Sequence, residues 1–149
     1  MITQQDIEDF AEYNNNNSKE ANMYLFYTLS EMVKEFMEAM GQPVAVKYGS
    51  NRELEGLRWL LLKEEYNEVR DADSAAELIK ELCDSIYVLL GWGITYGWDM
   101  EEAFRRVHAS NMSKLGADGK PIKRRDGKVL KGPNYFEPDL SDLVQGSKV

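Results

Sequence analysis

Residues 54–72 read LEGLRWLLLKEEYNEVRDA, and residues 81–90 read ELCDSIYVLL. In the first stretch Leu54, Leu57 and Leu61 recur at three- and four-residue steps, the stripe of a helix face, and the same stripe runs on through Glu65, Glu68 and Ala72. In the second, Glu81, Asp84 and Val88 continue a row that starts at Glu77, with Asp84 set among apolar residues. Two neighbouring helices therefore carry acids where core residues belong.

Working outward, the rest of the body is also helical. Ser18 opens a pattern in which Met23, Phe26, Leu29, Val33, Phe36, Met37 and Met40 keep the helical period until Gly41 and Pro43. Further starts are marked by a cap residue with Glu three positions on: Ser50 with Glu53, Ser74 with Glu77, and Asp99 with Glu102. These predict helices at about 51–72, 75–96 and 99–114, with Gly91, Gly93 and Gly97 loosening the end of the third. No period-2 strand runs occur, so the expected fold is all-α, a four-helix bundle in one domain spanning 1–149. A polar lead-in (1–18, with Asn14 to Asn17 and at most a short helix) precedes the helical core (19–115). A basic strap and tail (116–149) follows, with a small hairpin at Asp126-Gly127 and an irregular end.

Composition narrows the chemistry. The net charge of −8 is uneven: residues 1–113 hold 10 Lys/Arg against 21 Asp/Glu, whereas 114–131 hold 7 against 2. An acidic body repels nucleic acid, while a short basic strap suits a smaller polyanion such as a phosphate chain. One cysteine, Cys83, excludes an internal disulfide framework and multi-cysteine metal sites, and His108 as sole histidine excludes histidine-rich zinc or di-iron sites. No run of about 18 apolar residues occurs and the N-terminal segment is acidic. The expectation is a cytoplasmic protein without a membrane or nucleic-acid partner.

The acids then demand an explanation. Within their own helices Glu65, Glu68 and Glu81 have no base at three or four residues' distance; Asp84 has Lys80. Like charges at this spacing are destabilising, so something external must neutralise them or their pKa values must rise. Two i, i+3 carboxylate pairs on facing antiparallel helices make an all-oxygen site, which selects Mg²⁺, with Mn²⁺ able to substitute. Such a site suits metal-assisted attack of water on a nucleoside polyphosphate. Glu64 stands beside these ligands, and Glu77 reads as a helix cap.

The order E-E-x-x-E (Glu64, Glu65, Glu68), then E-x-x-D (Glu81, Asp84) after 12 intervening residues, resembles the signature of MazG-like all-α nucleoside triphosphate pyrophosphohydrolases. Dimeric dUTPases and phosphoribosyl-ATP pyrophosphohydrolases share that superfamily. The blocks LRWLLLKEEYNEVRDA, ELCDSIYVLLGWGITYGWD and VHASNMSKLGADGK extend the likeness over about residues 30–140. The short spacing between acid motifs resembles small single-domain members, including phage-encoded ones. The resemblance implies metal ligands at Glu65, Glu68, Glu81 and Asp84, and a catalytic set of Glu64, Glu65 and Glu68 around the water. It implies a sugar- and phosphate-binding segment at His108, Asn111 and Lys114. From the strap, Lys120 and Lys131 stand for the bases that close over the triphosphate. It further implies conversion of a (deoxy)nucleoside triphosphate to monophosphate and pyrophosphate by a homodimer or homotetramer, a nucleotide-pool function.

Rival readings differ in what they require. A Nudix hydrolase needs R-E-x-x-E-E within a mixed sheet, whereas Arg52-Glu53-Leu54-Glu55 runs into Gly56 and no sheet is visible. A non-catalytic helical module would use the acids and strap to dock a partner and would be indifferent to metal. An inactive relative kept for oligomerisation would not need four intact ligands. Trp59, Trp92, Trp98 and Tyr66 are read as core or subunit interface rather than as base-stacking groups.

Overall fold

The computed structural model describes residues 28–144. Among the described residues four helices dominate: α1 (Leu29–Ala39), α2 (Arg52–Asp71), α3 (Ala75–Thr95) and α4 (Met100–Met112), followed by the single turn α5 (Ser141–Val144). The all-α expectation holds.

Local chemistry explains the boundaries. Thr28 is extended and forms a full capping box with Glu31, so α1 begins at Leu29 and is not the continuation of a helix from Ser18. Met23, Phe26 and the lead-in lie outside the described residues. Asn51, not Ser50, caps α2: its side chain accepts from Leu54 N at 3.0 Å, while Ser50 donates to the Lys47 carbonyl. An amide side chain competes as well as a hydroxyl for a free helix N–H, so the cap moves by one residue. Ser74 and Asp99 cap α3 and α4 as expected. Glu77 reaches back past the Ser74 cap and accepts from Asp73 N at 2.8 Å, one residue earlier than a capping box requires.

The helices pack as an antiparallel α2–α3 pair, turned by three residues, with α1 also packed against α3. The buried centre is small: Val33, Met37 and Ile94 with Val44 and Leu90 against them, plus Leu54 and Tyr96. Gly91 and Gly93 do not loosen α3, which stays helical to Thr95. They make room instead: a Cβ on Gly93 would lie 2.1 Å from Met100 Sδ, and one on Gly91 would touch Val33, Met37 and Arg58. Gly97, at φ +70, stops the helix. The connection between α1 and α2 is tied to this end by Ala45 N→Ile94 O (3.2 Å) and Val46 N→Thr95 O (2.7 Å).

After α4 the chain makes two small turns at Asp118-Gly119 and Asp126-Gly127, each with its Asp accepting a backbone N–H two residues on. The expected hairpin is present as the Lys123–Val129 bridge with Leu130 N→Ile122 O at 2.8 Å. The tail is more ordered than expected. Ser110 Oγ donates to Phe136 O, Ser113 Oγ accepts from Phe136 N, and Arg106 pairs with Asp142, fastening the returning chain along α4.

Candidate active site

The α2–α3 pairing brings the embedded acids together. Glu65 and Glu68, one turn apart on α2, face Glu81 of α3, and one carboxylate oxygen of each lies within 4.8 Å of the others. Burial is graded: Glu81 is buried, Glu65 half-buried and Glu68 exposed. Glu65 Oε2 is closed off from solvent and has no hydrogen-bond partner. Burial pushes the Glu65 carboxyl above its ordinary value, reinforced by the charges of Glu68, Asp84, Glu64 and Glu81. Glu68 is also pushed up, first by its hydrogen bond with Glu81 and then by that residue's charge.

Lys80 corrects the expectation that Glu81 has no base. Its Nζ lies 3.0 Å from both Glu81 oxygens and 2.8 Å from Asp84 Oδ2, because a long lysine stem reaches its sequence neighbour as well as the next turn. The ammonium is held firmly charged by these carboxylates. Asp84, expected to be embedded, has a side chain 42% exposed and stands outside the group of three, turned to Lys80. Glu64 is exposed and adds its charge from the outer side of α2.

The charge balance favours a cation. Carboxylates this close raise one another's proton affinity, as Glu65 and Glu68 both show. The solvent-screened Lys80 pairs with Glu81 and Asp84 and leaves Glu65 without a base. Three convergent carboxylates with one buried, unbonded oxygen are a donor set for a hard divalent ion, which the residues present fit.

The strap does not reach this cluster. Lys114 Nζ donates to Asn111 Oδ1 at 2.7 Å, and both stay at the end of α4. Lys131 pairs with Glu137 and sits over the Tyr135 ring, and Arg124 pairs with Asp126. His108 and Lys120 are exposed. Among the described residues no hydrogen bond or ion pair joins any of them to Glu65, Glu68, Glu81 or Asp84. The reason is local: several strap bases find acids within the tail, and the tail is bonded to α4.

Against this geometry, a family model described as phosphoribosyl-ATP pyrophosphohydrolase matches residues 23–111, more than half of the chain and all of α1, α2 and α3. The chain belongs to that family. With it the chain joins the MazG-like all-α nucleoside triphosphate pyrophosphohydrolase superfamily, and membership supports a pyrophosphohydrolase acting on nucleotide-like substrates. The matched region contains every acid of the cluster, together with His108 and Asn111, and stops before Lys114 and the strap. No curated protein matches the chain. No helix among the described residues is long and apolar enough to cross a membrane.

Two residues escaped the sequence reading. Lys80 was visible only as the partner of Asp84. Arg58, buried at 4% exposure, occupies the same stripe as Leu54, Leu61 and Glu65, and that register was its signal.

Proposed function

We propose that the protein is a Mg²⁺-dependent nucleoside triphosphate pyrophosphohydrolase, Mn²⁺ substituting, that converts a (deoxy)nucleoside triphosphate to its monophosphate and pyrophosphate. The observation that carries this reading is the closed-off, unbonded Glu65 Oε2 within a triad of carboxylates on a pyrophosphohydrolase fold. Glu65, Glu68 and Glu81 hold the cation, and Asp84 completes the set when it leaves Lys80. A divalent ion there supplies charge neutralisation on the phosphoryl oxygens and acidifies water. Glu64, at the solvent side of α2, takes the proton from the attacking water, while Glu65 and Glu68 orient it. Asn111 and Lys114, already bonded to each other, present an amide and an ammonium to sugar and phosphate, with His108 on the same face and Lys120 and Lys131 further along the strap.

The working unit is a homodimer or homotetramer acting on the cytoplasmic nucleotide pool. Leu60, Trp59 and Ile79 are 65%, 63% and 65% exposed, apolar side chains suited to contact with a second copy. The test is product chromatography over a panel of nucleoside triphosphates with and without chelator. Monophosphate plus pyrophosphate, formed only with the divalent ion, is expected. Diphosphate plus orthophosphate, or no turnover on any nucleotide, overturns the assignment.

A further inference from the structure

Arg58 is a buried charge with no ion-pair partner among the described residues. Its guanidinium is pressed against α3 where Gly91 has no side chain, so that a Cβ there would lie 3.5 Å from Nη1. Its Nε is solvent-inaccessible and has no hydrogen-bond partner among the described residues. The fork lines a cavity of about 150 Å³ whose other walls include Phe36, Leu61, Tyr87 and Val88, with the Gln42 amide as a neighbouring polar group. Burial draws the Arg58 pKa downward, but a guanidinium starts so high that it stays charged.

A buried arginine that serves packing alone normally satisfies its donors on backbone carbonyls or a carboxylate, since an uncompensated buried charge is strongly destabilising. Here the buried Nε awaits an acceptor and the guanidinium has no acid in an ion pair with it among the described residues, and only an anion supplies the missing charge. A planar fork takes two oxygens of one tetrahedral anion side by side. Position along the helix narrows the source. Arg58 lies seven residues before Glu65 on the same face of α2, about 10 Å along the axis at 1.5 Å per residue. Leu61, between the two along α2, and Val88 of α3 are apolar walls of the Arg58 cavity. One end of the seam thus has more carboxylates than its one lysine balances and the other a guanidinium with no acid beside it among the described residues, the polarity a metal-bound phosphate chain would satisfy at both ends.

The geometry points to Arg58 as the anion receptor of this seam, with the Gln42 amide beside it, taking a phosphoryl group of the nucleotide substrate or of released pyrophosphate. This rests on the nucleotide reading above for its ligand class, while the site itself is tested without turnover. Full-length wild type, Arg58→Met and Arg58→Lys are titrated calorimetrically with inorganic pyrophosphate and, separately, with a deoxynucleoside monophosphate, once in chelator and once in excess Mg²⁺. Arg58→Met should lose about ten- to a hundredfold in affinity for the ligand whose phosphoryl group occupies the pocket, as expected for charge-assisted bonds, and Arg58→Lys should fall between. The ligand that loses affinity identifies the source. Without ligand, Arg58→Met should melt no lower than wild type, whereas an arginine kept for packing would lower the melting temperature on removal. The Arg58 Nε–H resonance of the wild type should move on pyrophosphate or monophosphate addition, which keeps the test alive if the Met variant fails to fold. Wild-type affinity for both ligands in the Met variant, or a resonance unmoved by either, overturns the inference even if nucleotides are hydrolysed. Arg58-dependent binding without hydrolysis of any nucleotide would instead leave it standing and remove the enzymatic reading.

Discussion

The Lys80 ammonium lies 2.8 Å from the Asp84 carboxylate, one turn along α3, and so occupies the oxygen that a cation at the neighbouring triad would have to recruit. Lysine and metal compete for one acid. Replacing Lys80 with Met should therefore tighten Mn²⁺ binding several-fold by calorimetry, while lowering the melting temperature in chelator because the acids lose their nearest counter-charge. Unchanged or weaker Mn²⁺ affinity would show that Asp84 and Glu81 take no part in holding the ion.

Glu65 sets the pH response. Its folded pKa is raised, so the native state binds more protons than the unfolded one, and its stabilising contribution, present below the ordinary value of 4.5, is lost as pH rises through the folded value. Asp71 and Asp126, whose pKa values are lowered by their arginine neighbours, contribute stability that disappears only at lower pH. In chelator, wild type should lose more melting temperature between pH 4.5 and 7 than Glu65→Gln does. Excess Mn²⁺ should reverse the ranking at pH 7, and Glu65→Gln should lose on the order of hundredfold or more in turnover. Parallel melting curves for the two proteins across that window would count against the electrostatic account.

Gly132 holds the tail to the end of α4. A Cβ there would fall 2.2 Å from the Leu115 carbonyl oxygen and 2.8 Å from that of Lys114, both backbone atoms. Gly132→Ala should cost about 1–3 kcal/mol, in line with overpacking at a site that cannot give way. Thermal unfolding reads the loss, and a shift of less than a degree would mean the tail moves aside freely.

The apolar face makes a separate prediction about assembly. Leu60→Asp places a charge in the middle of a surface proposed to meet a second copy, so sedimentation velocity should show a monomer where wild type shows a dimer or tetramer. Identical sedimentation of the two proteins would move the contact elsewhere.

Most of the architecture was legible because it depends on period and caps. The stripes through Leu54 to Glu68 and Glu77 to Val88 define α2 and α3, and short cap side chains mark two of the starts to the residue. What escaped is side-chain reach and shape. A cap can be Asn51 or Ser50 with equal chemistry, and a lysine can choose its neighbour over its turn. Gly91 and Gly93 look like weak points in one dimension but are contact points in three, since only packing shows what leans on a missing Cβ. The triad was readable from spacing; the outward turn of Asp84 was not, because helical register places Cβ atoms and not carboxylates.

The two backbone bonds from Ala45 and Val46 to the carbonyls of Ile94 and Thr95 bear on where this chain could be cut and rejoined. They bind carbonyls of the last turn of α3, that of Ile94 shared with Gly97 N, so breaking the chain at 44–46 would unseat the end of α3. New termini or an inserted peptide belong instead at Gly119 or Gly127, exposed tips whose positive φ the turn itself supplies and at which a glycine Cβ would meet nothing. A circular permutant opened at either tip should keep the α1–α2 connection clasped to α3, and with it the alignment that sets Glu65 against Glu81.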